Sequence, residues 1–331
     1  MEKQKGTMHP SRRDGVYRRL LGHLWTVGPA VREIVSPTRG PEARPWRSSV
    51  PNEFGDDIIY SGLFSEGKGD NDTLVVILHG LGGDPERGYC GRAAAAARRV
   101  GYPSLRLALR GADGYGKDLH HAGFTDDLGP LLAKAPCNRY TKIVLVGYSL
   151  GGHVALKAAV DGVDERLEAV VSLCAPLDLK ACQAAIDAPK NWVYRQYLLR
   201  GLKASYPKIA RGGRGPTPVD RIDDVETLRE WDSLTVVPRF GFQDVDHYYQ
   251  TQSVGQRLDE IRIPTLVVAS PADPMVPAAS LRGPLGRAPD NINVRWVRDG
   301  GHVFFPPKIR MGFGPEPGVE QQVMAWIGRP G

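Results

Sequence analysis

The chain has 331 residues, 41% of them apolar, with a formal net charge of +6 and four cysteines. That length can bury a large core in one α/β domain, and the longest apolar runs are strand-length, far short of the roughly 20 residues a membrane helix needs, which argues against an integral membrane segment. Cys90, Cys137, Cys174 and Cys182 are scattered without Cys-x-x-Cys spacing, so neither a zinc site nor a disulfide framework is expected; reduced thiols in a cytoplasmic protein are the simplest account.

Residues 1–50 carry ten Lys or Arg against four Asp or Glu, which leaves the remaining chain neutral. They read as a basic, solvated arm, and without an aromatic-interleaved motif no nucleic-acid partner is expected. Ser11-Arg12-Arg13 faintly resembles a twin-arginine signal, but no apolar region or small-residue cleavage site follows it. Segments 57–64 and 73–79 read as strands, Arg87 to Arg99 as an alanine-rich helix, 104–109 as a strand, 124–134 as a helix, and 142–146 and Leu167 to Leu173 as apolar strands. From Leu179 to about Gln256 the alternation gives way to a helical, aromatic stretch that reads as an inserted cap, with a loop at Arg211-Gly212-Gly213-Arg214-Gly215-Pro216. Strands resume at Ile263 to Ser270 and Asn293 to Val297. Strands and helices alternating in this way predict a mostly parallel sheet covered on both faces, with a site above the strand carboxyl ends.

The strand Lys142-Ile143-Val144-Leu145-Val146 runs into Gly147-Tyr148-Ser149-Leu150-Gly151 and then a helix-like stretch. That context predicts a nucleophile elbow, in which Ser149 occupies a strained turn and the glycines two before and two after it let strand and helix approach. The strand ending at Ser270 empties into Pro271-Ala272-Asp273-Pro274, and the strand ending at Val297 into Arg298-Asp299-Gly300-Gly301-His302. Ser149, Asp273 and His302 thus follow the α/β-hydrolase chain order, with His302 as the base and Asp273 holding its tautomer. Asp178, also behind a strand, is the alternative acid.

The loop His79-Gly80-Leu81-Gly82-Gly83-Asp84 offers the Leu81 N–H as one oxyanion donor, and the Leu150 N–H at the start of a helix is the other. His79 precedes the nucleophile and is expected to shape this loop. Neither Gly80 to Gly83 nor Gly111 to Gly116 supplies G-x-G-x-x-G, and no Walker lysine follows. Tyr148, His120 and His121 are candidates for substrate contact. No carboxylate–histidine spacing accompanies the histidine pair, so no metal is expected there. His153, four residues past the serine, is expected to pack against the cap or solvent.

His79-Gly80-Leu81-Gly82-Gly83, Leu109-Arg110-Gly111, His120-His121-Ala122-Gly123 before Thr125-Asp126-Asp127-Leu128, the elbow, Ala175-Pro176-Leu177-Asp178-Leu179, Tyr248-Tyr249 and Gly300-Gly301-His302 together resemble the YheT-like branch of the α/β-hydrolases, esterases of bacteria and plants. Gly22-His23-Leu24-Trp25-Thr26 is similar to that branch's N-terminal motif. The resemblance runs from about Leu21 to Trp326, weakest at 203–227, and implies a serine hydrolase acting on carboxylic esters through Ser149, Asp273 and His302.

The expectation is therefore an α/β-hydrolase fold with an eight-stranded, mostly parallel sheet: a basic arm (1–50), core (51–178), helical cap (179–256) and core again (257–331). It would act as a cofactor-free, metal-free carboxylesterase on small esters of short-to-medium acyl chains. A thioesterase or amidase with the same residues, a cofactor-free perhydrolase and a non-catalytic binding protein on the same scaffold are the alternatives.

Overall fold

The structure, a computed structural model, describes residues 20–28, 38, 40–69, 71–112, 115 and 117–329. Residues 1–19 of the expected basic arm, with Ser11-Arg12-Arg13, lie outside the described residues. A helix α1 spans residues 20–28. Eight strands, β1 (Arg44–Pro51), β2 (Asp57–Ser65), β3 (Thr73–Leu78), β4 (Ser104–Leu107), β5 (Lys142–Tyr148), β6 (Leu167–Leu173), β7 (Thr265–Ala269) and β8 (Ile292–Trp296), form one sheet in the order β1-β2-β4-β3-β5-β6-β7-β8. From β4 to β8 the pairings are parallel, while β1–β2 and β2–β4 are antiparallel.

Every residue of β3 and β7 is buried, as in strands covered on both faces. Period two then sorts their side chains. Val75, Ile77, Val144, Val146 and Val268 pack under α2 (Gly88–Arg99) and the helix Val319–Ile327. Leu74, Val76, Leu78, Leu145 and Val267 join a second cluster with the elbow helix α4 (Leu150–Asp161). The register pairs Leu78 with Gly147, Tyr148 with Leu173 and Ala269 with Trp296, so the loops after β3, β5, β6, β7 and β8 leave the sheet at one edge.

Two expectations change. Residues 44–50, read as the end of the arm, belong to the edge strand β1, whose Trp46 and Val50 are buried in the core. The helix expected over 124–134 is a single turn, α3 (Leu128–Leu132). The residues before it are engaged elsewhere: Thr125 Oγ1 donates to Asp161 (2.6 Å), and Asp127 pairs with the Arg110 guanidinium at 2.6 Å and accepts from the Tyr60 hydroxyl. Between β6 and β7 lie α5 (Leu179–Asp187), α6 (Trp192–Arg211), α7 (Val219–Asp223), α8 (Leu228–Leu234), α9 (Val236–Phe240) and α10 (Val245–Gln252). They carry their own apolar cluster around Tyr194, Leu198, Tyr206 and Trp231. No helix among the described residues is long and apolar enough to cross a membrane.

Candidate active site

Ser149 stands between β5 and α4 with φ 53° and ψ −120°, a conformation an L-residue adopts only under local constraint. The constraint is visible around it. Its N–H donates to the Leu173 carbonyl on the neighbouring strand (2.8 Å). A Cβ on Gly147 would overlap the Gly151 carbonyl, and one on Gly151 would stand 2.5 Å from the His79 carbonyl oxygen. Glycine at both positions is a packing requirement of the turn.

The stiff turn after β7 brings Asp273 to His302. Asp273 Oδ1 accepts the N–H groups of Met275 (2.8 Å) and Val276 (3.0 Å), which leaves Oδ2 to receive His302 Nδ1–H (2.8 Å). A carboxylate can only accept, so the proton sits on Nδ1, and Nε2 is free to accept from Ser149 Oγ at 2.7 Å. Asp273 and His302 are both buried. Asp178 is elsewhere: it caps α5, its carboxylate accepting the Ala181 N–H (2.9 Å).

The histidine loop is tied down residue by residue. Ser270 Oγ donates to the Gly300 carbonyl (2.7 Å), Gly301 N–H to the Phe304 carbonyl (2.9 Å), His302 N–H to Thr26 Oγ1 (2.8 Å) and Val303 N–H to Cys174 Sγ (3.4 Å). Thr26 and Cys174 were not singled out by sequence reasoning, although Thr26 lies in the N-terminal motif quoted above. Cys174 Sγ, a carboxylate oxygen of Asp273 and a ring nitrogen of His302 lie within 4.8 Å of one another, a ligand set in principle. Each is already engaged: burial pushes the Cys174 thiol well up, and Asp273 and His302 are bonded to each other.

On the other side of the serine, a Cβ on Gly80 would lie 3.1 Å from Ser149 Cβ and 3.6 Å from its Oγ, so the loop after β3 runs directly past the nucleophile. His79 shapes that loop: Leu109 N–H donates to its Nε2 (3.1 Å), so Nδ1 carries the proton and donates to the Gly80 carbonyl (2.8 Å). The Gly80 N–H donates to the Tyr89 hydroxyl (3.1 Å). Leu81 follows Gly80 in this turn, and Leu150 opens α4, where no carbonyl of its own helix can receive its N–H.

Three expected contacts are absent from this constellation. Tyr148, the last residue of β5, points to the opposite face and is fully buried against Tyr89. His121 is boxed by Phe124, Phe240, Phe242 and Tyr248, its pKa pushed down to about 3 by burial, and its Nδ1 accepts the Gly123 N–H (3.2 Å). His120 packs edge-on against Phe124, and burial holds its pKa well below the ordinary value. His153 is buried between the carbonyls of Pro176 (2.6 Å) and Gln252 (2.9 Å), joining α4 to the end of α10.

The six helices after β6 reach the same loops. Asn191 Nδ2 donates to the Pro274 carbonyl beside Asp273 (2.8 Å), and a Cβ on Gly82 would meet the Leu198 carbonyl at 3.3 Å. A buried charge cluster fastens α9 to the core: Asp118 accepts from Arg110 (2.9 Å) and from Arg239 Nε (2.6 Å), while Arg239 also reaches Glu53 (2.7 Å). The motif residues Arg110 and Asp127 therefore serve the scaffold.

A strand order of this kind, with a serine on the turn after β5 and an aspartate and histidine behind β7 and β8, defines an α/β-hydrolase. The chain belongs to the alpha/beta hydrolase family, whose model matches residues 75–307. Within it, similarity places the chain in the YheT-like branch. It is 28% identical over 260 residues to the esterase-named protein YheT of Escherichia coli (strain K12), covering 76% of each chain. It is 26% identical over 308 residues to the embryogenesis-associated protein EMB8 of Picea glauca, covering 89% of this chain and 63% of that one. It is 25% identical over 239 residues to the phospholipase ABHD3 of Homo sapiens, covering 70% of this chain. The chain thus spans 58% of the ABHD3 protein, and less than two thirds of the spruce protein. Among solved structures, the 2,6-dihydroxy-pseudo-oxynicotine hydrolase superposes with a TM-score of 0.51 at 18% identity, covering 88% of this chain and 68% of that one. A hydrolase from Pseudomonas aeruginosa PA01 gives a TM-score of 0.50 at 16% identity, covering 86% of this chain and 98% of that one. Both likenesses concern the fold alone.

Proposed function

We propose that the protein is a serine hydrolase of carboxylic esters. The observation that carries this reading is the continuous chain of hydrogen bonds from Ser149 Oγ through His302 to Asp273, at 2.7 and 2.8 Å. In this mechanism His302 Nε2 takes the Ser149 proton as Oγ attacks the ester carbonyl, and Asp273 stabilises the imidazolium that forms. The Leu81 and Leu150 N–H groups receive the oxyanion. His302 then protonates the departing alcohol. Water, deprotonated by the same nitrogen, then attacks the acyl-serine; the bond from Oγ to the acyl carbon breaks, the acid leaves and His302 returns the proton to Ser149 Oγ. Each step uses groups of the chain itself and calls for no cofactor.

The esterase name of the E. coli relative supports esters over thioesters or amides. The phospholipase name of ABHD3 keeps lipid esters within the class. Leu81 of the oxyanion loop and Met275 of the acid loop pack into the apolar cluster of the helical insertion, which supports that insertion as a cap over the site; the acyl pocket beneath it is taken to be apolar and to suit short-to-medium chains. Four buried, unpaired cysteines support a reducing, cytoplasmic setting.

The test is labelling with a fluorophosphonate probe, followed by turnover of p-nitrophenyl esters. Ser149→Ala is expected to abolish labelling and lower kcat by roughly 10⁴- to 10⁶-fold with the fold retained. Undiminished turnover in folded Ser149→Ala protein would refute the reading.

A further inference from the structure

Helix α1 sits against two loops of the proposed site. Gly22 lies so close to the acid loop that a Cβ there would overlap the Ala272 carbonyl, and a Cβ on Gly301 would stand 2.5 Å from the Gly22 carbonyl oxygen and 2.7 Å from Thr26 N. On its other side, His23 stacks on Tyr194 of α6, with Nδ1 2.7 Å from the tyrosine hydroxyl. The helix is thus wedged between the two loops and the helical insertion.

Thr26 is the buried centre of this contact. Its Oγ1 donates to the Gly22 carbonyl one turn back (2.7 Å) and accepts the His302 N–H (2.8 Å), from a residue 276 positions away in the chain. The loop it holds cannot set its own conformation. Two glycines precede His302, and Val303 behind it has φ 56°, a region a β-branched residue occupies only when its surroundings impose it.

We infer that Thr26 is a positioning residue for His302: by accepting its backbone N–H, the helix α1 hydroxyl fixes where the imidazole stands relative to Ser149. The inference rests on the proposed triad. Removing the acceptor leaves a buried N–H without a partner, and the loop must move to find one. A displacement of about 1 Å at a reacting group is worth on the order of 100-fold in rate.

The experiment compares Thr26→Val, Thr26→Ala and Thr26→Ser in the full chain, with p-nitrophenyl butyrate turnover and the rate of fluorophosphonate labelling as readouts, well below each variant's Tm. Thr26→Val and Thr26→Ala are expected to lose about 10- to 100-fold in kcat and in labelling rate, with KM within about threefold. Thr26→Ser, which keeps the acceptor, is expected to stay within about threefold of the parent in both. Should Thr26→Val not fold, the Ala and Ser variants carry the comparison. Labelling and kcat at the parent level in Thr26→Ala, or equal losses in Ala and Ser, would overturn the role of Thr26. Ser149→Ala is run alongside: if it retains turnover the triad reading fails, whereas if it is inert and Thr26→Ala is not impaired, only the present inference fails.

Discussion

A Cβ on Gly151 would lie 2.5 Å from the carbonyl oxygen of His79, so the helix that begins behind the nucleophile touches the backbone of the proposed oxyanion loop directly. The glycine does more than relax one turn. It sets the distance between the two segments that would supply the two oxyanion donors.

Gly151→Ala is accordingly expected to force these segments apart. Backbone on both sides leaves no flexible side chain to yield, so a loss of about 3 kcal/mol in unfolding free energy is expected. Urea melts check it; a loss below about 1 kcal/mol would mean that the loop after β3 can give way.

Asp273→Asn is expected to lower kcat by about 10⁴-fold, because an amide can donate to His302 Nδ1 and stabilise the wrong tautomer. Asp178→Asn is expected to leave kcat near the parent value, since Asp178 caps α5. The two variants compared in the same assay decide the assignment, and a larger loss in Asp178→Asn would reverse it.

Asp232 accepts from the Tyr249 hydroxyl (2.7 Å), and burial pushes its pKa up to about 7. An unfolded aspartate titrates at about 3.9. The folded chain therefore holds this proton more tightly, and the associated stability is complete below about pH 4 and is lost as pH rises through about 7. Asp232→Asn keeps an oxygen for Tyr249 and removes the ionisation. Its Tm is expected to gain on the parent between pH 5 and pH 8, at about 1.4 °C per kcal/mol for a chain of 331 residues. A Tm difference independent of pH would contradict the assigned burial effect.

An acyl pocket lined by apolar side chains gains up to about 0.8 kcal/mol per methylene, or about fourfold in kcat/KM. A p-nitrophenyl series is expected to rise from acetyl to butyryl or hexanoyl and then fall. A maximum at acetyl, or a continued climb through palmitoyl, would contradict the proposed pocket.

Most strands and the elbow were legible in the sequence because their signals are local. A strand buried on both faces is a short apolar run, and the turn between β5 and α4 demands glycine within two residues of Ser149. β1 was not legible. With only Trp46 and Val50 buried and three arginines at 39, 44 and 47, residues 39–50 have the composition of a solvated arm, and only the antiparallel register against β2 makes residues 44–51 a strand. Tyr148 read as a neighbour of the site because it adjoins Ser149, but β5 continues through it, and strand alternation sends its ring to the far side of the sheet.

The strands, the elbow and the order of Ser149, Asp273 and His302 at strand ends can be read locally, since backbone conformation and apolar periodicity depend on near neighbours. Which distant groups meet emerges only in the packed fold: His121 faces Phe240 and Tyr248, Arg239 reaches back to Asp118, and Thr26 receives the His302 N–H. Such pairings arise because a buried N–H or charge must find a partner wherever the packed chain offers one, and no local pattern records where that is.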